Sequence, residues 1–171
     1  MIPKFKKYEM WGEYHFAGQE TIHNDFQKHA DKLKSLIQED ERILDIGCGD
    51  GYLTWYLKCE KGIDSCETGI HYAKKRKLPC EIGTIYGLEK HGKFDAVLVA
   101  DVLDWCNDVD TAIKEIGKIT NKAYISVHTE DEMMLANTWQ ENELIDLFAN
   151  YGWTCSHSEI ERDRVYAVFN K

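Results

Sequence analysis

The sequence predicts an α/β chain: a doubly wound sheet of about seven strands, mostly parallel, with an antiparallel hairpin at its C-terminal end. Three observations carry this. Short apolar runs alternate with segments of helical spacing five times, the pattern of strands joined by right-handed helical crossovers. The run "FDAVLVA", residues 94–100, is apolar nearly throughout, as in a strand covered on both faces. The last two runs, "WTCSHSEIE" and "RVYAVFNK", are separated only by a charged turn at Arg162 and Asp163, which makes them a hairpin.

The elements follow in order. Residues 1–17 read as irregular and aromatic, with Phe5, Tyr8, Trp11, Tyr14 and Phe16. From Thr21 to Gln38, the apolar residues Ile22, Phe26, Leu33, Leu36 and Ile37 recur at near-helical spacing. "RILDIG" is a short buried strand, and "YLTWYLK" returns to helical spacing. "KGID" and "CEIGT" are strands either side of the helix "CETGIHYAKKRK". "IYGLEKHGK" is a connection into the strand "FDAVLVA". The helix "DVDTAIKEIGKI", the strand "KAYISVH" and the helix "TWQENELIDLFANYG" lead to the hairpin.

Composition narrows the function classes. The chain has 171 residues, enough to bury a core without disulfides or metal. Its formal net charge is -9. Nucleic acid is therefore a poor partner, because duplex affinity comes largely from cations on phosphates. The run "KKRK", Lys74 to Lys77, falls near a predicted helix C-terminus, where cations complement the helix dipole. The opening lysines precede no long apolar run and do not read as a signal peptide. No stretch approaches a membrane span. The six cysteines form no C-x-x-C pair and no His/Cys cluster with zinc spacing, so no metal is expected. They read as reduced thiols of a cytoplasmic protein.

The chemistry concentrates in "ILDIGCGDGY", residues 43–52. Asp45 is followed by Gly47, Gly49 and Gly51. The dinucleotide fingerprint G-x-G-x-x-G needs glycine where Tyr52 stands, and no Gly-Lys-Ser/Thr follows for a phosphate loop. A carboxylate at Asp45 weakens a phosphate site but suits a ligand with a cationic end. Glycines let backbone approach such a ligand closely. Asp64, at the end of the second strand, is placed to accept two ribose hydroxyls.

Three segments share a pattern with one family. "LDIGCGDGYLTWYL" resembles the first motif of class I S-adenosylmethionine-dependent methyltransferases, and "GIDSCETGIHYAKKR" the second. "KFDAVLVADVLDWCNDVDTAIKEI" resembles their fourth strand and the helix after it. The resemblance runs from about Leu33 to His128, and the hairpin matches the family's last two strands. It implies a Rossmann-like fold, S-adenosylmethionine as methyl donor and S-adenosylhomocysteine as product. Asp45 and the turn Gly47, Cys48, Gly49 and Gly51 would surround the methionine part. Asp64 would bind the ribose, with Ser65 beside the adenine and Thr84 and Ile85 at its edge. Ala100, Asp101 and Val102 would sit under the sulfonium. The chain departs from the family at Gly83-Thr84, where an acid is frequent, and at Trp105, where a histidine is common.

One domain over 1–171 follows, with 1–38 as an N-terminal arm, helix and lid, and 39–171 as the cofactor-binding core. Methyl transfer needs alignment and exclusion of water, and an oxygen or nitrogen acceptor also needs a base. His128, ending the fifth strand, is the first candidate, against its being a hydrogen-bonded strand terminus. Tyr14 and His15 qualify if the arm folds over the site. The arm's aromatic residues are either a lid or ordinary packing. Asp101 and Asp104 follow the fourth strand, where helix capping is the alternative, more so for Asp104. The acids of "TEDEMM", Thr129 to Met134, are a solvated loop or a lure for a cationic acceptor. Pro79-Cys80 enters the third strand rather than following the fourth, so Cys80 reads as core and not as a nucleophile. No Asn/Asp-Pro-Pro-aromatic motif is present. With the acidic charge, this points to transfer onto the oxygen or nitrogen of a small molecule. The alternative is a non-catalytic module of the same fold that binds S-adenosylmethionine. Oligomeric state is not legible.

Overall fold

Seven strands form one sheet in the order β3-β2-β1-β4-β5-β7-β6 in the computed structural model, which describes residues 20–130 and 135–171. They are β1 (Ile43–Ile46), β2 (Lys61–Asp64), β3 (Cys80–Ile82), β4 (Ala96–Ala100), β5 (Lys122–His128), β6 (Thr154–Glu161) and β7 (Arg164–Asn170). The first five pair in parallel; β7 runs antiparallel to both β5 and β6. The helices are α1 (Glu20–Leu36), α2 (Tyr52–Tyr56), α3 (Glu67–Lys75), α4 (Val109–Ile119) and α5 (Glu141–Ala149). The fold is the expected Rossmann-like α/β sheet with a C-terminal antiparallel pair.

Strand residues alternate between faces, and the two faces have different partners. Leu44, Ile46, Val97, Val99 and Ile125 pack with Ile113 and Ile116 of α4 and Leu144 and Phe148 of α5. Ile43, Ala96, Leu98, Tyr124, Tyr166 and Val168 pack with Ala30 and Leu33 of α1 and Leu53 of α2. Both faces of the central strands are thus apolar, which is why "FDAVLVA" lacks alternation in the sequence.

Local chemistry sets the helix ends. Asp108 accepts the Thr111 N–H at 2.9 Å and caps α4. Gln140 N–H donates to the Glu143 carboxylate at 3.0 Å before α5. Lys74 and Lys75 lie in the last turn of α3, as the "KKRK" reading expected. The capping reading of Asp104 is corrected. This residue sits in a 3₁₀ turn, Leu103–Trp105, and its fully buried carboxylate turns to His128 instead. Another 3₁₀ turn, Leu88–His91, interrupts the connection into β4. All six cysteines are free thiols. Among the described residues, no helix is long and apolar enough to cross a membrane.

Candidate active site

The strand order reverses between β1 and β4, so their carboxyl ends open a crevice where α/β sheets bind ligands. Two groups of residues border it.

The first is the turn after β1. Gly47, Gly49 and Gly51 all have positive φ, at 78°, 60° and 84°. A Cβ at Gly47 would lie 2.2 Å from Cγ2 of Val102, which follows β4. Glycine is thus required here by conformation and by space. Asp64 ends β2 and reaches across to this turn. Its carboxylate accepts the Gly49 N–H at 2.9 Å and the Cys66 N–H at 2.7 Å. Ser65, the next residue, is exposed at the rim, and Thr84 is exposed after β3. Ile85 is buried and belongs to the core beneath.

Asp45 lies behind the turn rather than on its outer surface. It is 1% exposed, and the Thr54 hydroxyl of α2 donates to it at 2.6 Å. Burial pushes its carboxyl up to about 7, against the pull of the Thr54 bond. Burial also raises Asp50 to about 6, opposed by Arg76, whose Nη1 lies 3.2 Å away. This turn therefore holds acids that give up their protons reluctantly.

The second group is a buried polar network over the ends of β4, β5 and β7. Ser126, His128, Arg164 and Tyr166 share the sheet face of Tyr124 and Val168, against α1. Register sets Ser126 opposite Tyr166 and His128 opposite Arg164. Asp101, directly after β4, has φ 54°, an uncommon backbone for a non-glycine residue. Its carboxylate accepts Ser126 Oγ at 2.9 Å and Arg164 Nε at 3.0 Å. Burial works against its ionisation, yet His29, Arg164 and His128 together hold it down to about 2. His128 Nδ1 lies 2.7 Å from Asp104, and its Nε2 lies 2.8 Å from Arg164 Nη2. Arginine can only donate, so Nε2 accepts and Nδ1 carries a proton towards Asp104; burial lowers the ring's value, but Asp104 and Asp101 outweigh it and raise it. His29 of α1 completes the network. Its Nδ1 is 2.9 Å from the Tyr166 hydroxyl, and its Nε2 is 3.9 Å from Asp101.

Residues 44–123 match a family model described as a methyltransferase domain. The chain is 32% identical over 117 residues to the ubiquinone biosynthesis O-methyltransferase of Pelagibacter ubique, covering 61% of this chain and 46% of that protein. It is 30% identical over 95 residues to a mitochondrial arginine-hydroxylase of Mus musculus, covering 51% and 28%. The chain thus spans less than half the length of these curated relatives. Among solved structures, the magnesium protoporphyrin IX methyltransferase of Synechocystis with bound S-adenosylhomocysteine superposes with a TM-score of 0.81 at 14% identity, covering 97% and 94%. Residues 44–123 are thus similar to a methyltransferase domain, on a fold shared with that structure.

Of the residues expected on the donor side, Asp64 meets the glycine turn, and Val102 lies against Gly47. Of the acceptor-side candidates, Tyr14 and His15 lie outside the described residues, as does part of "TEDEMM". His128 is at the rim, but both its ring nitrogens are committed. His29, Ser126, Arg164 and Tyr166 were not foreseen. A signal existed for three of them: Ser126 and His128, and likewise Arg164 and Tyr166, alternate with apolar residues at the ends of apolar strands. Asp101, Asp104 and His128 bring ligand atoms within 4.8 Å of one another. Arg164 already supplies positive charge to that cluster.

Proposed function

We propose that the domain transfers a methyl group from S-adenosylmethionine to an oxygen or nitrogen atom of a small molecule. When bound, S-adenosylmethionine supplies an electrophilic methyl group on a sulfonium. The observation that carries the reading is the Asp64 bridge to the glycine turn: a buried carboxylate at the end of β2 that takes the Gly49 and Cys66 N–H groups, beside backbone that a Cβ would obstruct. Asp64 takes the ribose hydroxyls, and the turn at Gly47, Cys48, Gly49 and Gly51 lies along the methionine part. Asp45 supports that turn from behind through Thr54. Ser65 and Thr84 border the adenine; Ala100, Asp101 and Val102 lie under the methyl group. The acceptor enters over the ends of β4, β5 and β7, where His29, Arg164 and Tyr166 face it. The acidic net charge disfavours a nucleic-acid acceptor. The reduced cysteines fit a cytoplasmic setting, and the chain reads as a single domain, with the arm at 1–19 outside the described residues. Calorimetry with S-adenosylhomocysteine tests the donor site. Micromolar binding is expected, and Asp64→Ala should weaken it about 100-fold, in line with loss of hydrogen bonds to a charged group. Absence of binding at millimolar ligand refutes the reading. If binding survives but no acceptor is ever methylated, the non-catalytic alternative gains.

A further inference from the structure

A cavity of about 130 Å³ opens beside the polar network, bordered by Lys28 and His29 of α1 and by Arg162, Arg164 and Tyr166 of the hairpin. It is close in size to cavities that hold one benzene ring, about 150 Å³. Glu161 and Asp163 also line it, but each is already paired, Glu161 with Lys32 and Asp163 with Arg164.

A base is needed here if the acceptor carries a proton, and His128 has no lone pair to offer while Arg164 donates to it. His29 differs. Its Nε2 lies 3.9 Å from the Asp101 carboxylate, beyond hydrogen-bond reach, and that charge favours the ring proton on the Nε2 side. The Nδ1 lone pair then accepts the Tyr166 hydroxyl at 2.9 Å. The chain Tyr166–His29–Asp101 repeats the logic of a hydroxyl activated by a histidine that a carboxylate orients. We propose that this chain is the proton relay of the transfer reaction, and that the acceptor is an un-ionised hydroxyl compound, an alcohol or a phenol, bound in the cavity. The inference rests on the methyl-donor reading above.

In the step, the acceptor O–H bond breaks and its proton passes to the Tyr166 oxygen. The Tyr166 proton passes at the same time to His29 Nδ1. The freed oxygen lone pair forms the bond to the methyl carbon, and the C–S electron pair leaves with sulfur. Asp101 stabilises the imidazolium until its proton returns to solvent. The charged and titratable groups facing His29 are Asp101 after β4, His128 at the end of β5, and Asp163 and Arg164 at the start of β7. Burial holds the ring below its ordinary value, against the pull of Asp101, so it is neutral and ready at pH 7. Burial raises the Tyr166 hydroxyl well above its ordinary value. It therefore acts as a carrier that never stands as phenolate.

The test uses the full chain with ¹⁵N-labelled histidine and, for turnover, S-adenosylmethionine with phenols of graded acidity. Two-bond ¹H–¹⁵N spectra should show neutral His29 as the Nε2–H tautomer. Tyr166→Phe should shift its Nδ1 resonance, and Asp101→Asn should move its titration to lower pH. A His29 Nδ1–H tautomer, or a ring indifferent to Tyr166→Phe, overturns the relay whether or not a phenol is turned over. In turnover, Tyr166→Phe should cost about 10²–10³-fold in kcat while affinity for S-adenosylhomocysteine stays unchanged. The loss should shrink for phenols acidic enough to ionise unaided. Equal losses across the series, or full activity in Tyr166→Phe, overturn the relay. Failure of the wild-type chain to bind S-adenosylhomocysteine instead refutes the donor reading and leaves the histidine spectra standing.

Discussion

The two halves of the crevice are built in opposite ways. The donor half is local: Asp45, the three glycines and Asp64 fall within twenty residues, and backbone N–H groups do most of the bonding. The acceptor half is assembled at long range. His29 meets Tyr166 across 137 positions, and Asp101 meets Arg164 across 63. Their electrostatics also differ in sign of effect. Burial raises Asp45 to about 7 and Asp50 to about 6, while Arg164 and two histidines, protonated in the acid range, hold Asp101 down at about 2. A glycine turn can be reused wherever the strand–helix unit occurs. A network of this kind exists only once the sheet register has placed its members.

The largest expected effect strikes the long-range half. Arg164→Leu leaves Asp101 with no bonded cation and removes the donor to His128. It should cost about 4 kcal/mol by chemical denaturation, as when one partner of a buried pair is removed. A loss under about 1 kcal/mol would mean that α1 and the hairpin do not depend on this network.

Gly47→Ala strikes the local half. Left-handed backbone and the Val102 contact should together cost about 3 kcal/mol. Binding of S-adenosylhomocysteine should fall with it, while the His29 spectrum keeps its tautomer. If the tautomer also changes, the two halves are coupled and the contrast drawn here fails.

The pH dependence separates the halves next. Asp45 and Asp50 bind protons more readily folded than unfolded, so stability should rise as pH falls from about 8 towards 4. Asp101 behaves oppositely. Its contribution, about 2 kcal/mol, is present above pH 4 and lost as pH falls through its folded value near 2. Asp45→Asn should flatten the upper limb and Asp101→Asn the lower one in urea melts across pH. Exchange of those two effects would reverse the assignment. At the small end, Ser65→Ala at the exposed rim should change affinity for S-adenosylhomocysteine less than about threefold, or about 0.6 kcal/mol.

Much of the fold was legible. Alternation, the apolar β4 run and the charged turn at Arg162 and Asp163 are each local signals of one element, and all three held. Helix ends were less so. Asp104 looked like a cap because an acid before a helix usually is one, but His128, 24 positions on, supplied a stronger partner. On the donor side, spacing alone located the turn and Asp64. It could not say that Asp45 stands behind the turn, because the direction of a side chain depends on the helix packed against it. On the acceptor side, His128 was found as a strand end, whereas His29 read as one polar residue on an amphipathic helix.

The sequence by itself determined the strand–helix alternation, the glycine turn, the reach of Asp64 and hence the class of methyl donor. These are consequences of backbone conformation and short spacing, which neighbouring residues settle among themselves. The tertiary structure decided which partners each histidine takes. That choice follows from the pairing of His128 with Arg164 in β7 and from the packing of α1 over Tyr166. Register and helix docking are properties of the whole sheet, so no stretch of the chain encodes them alone.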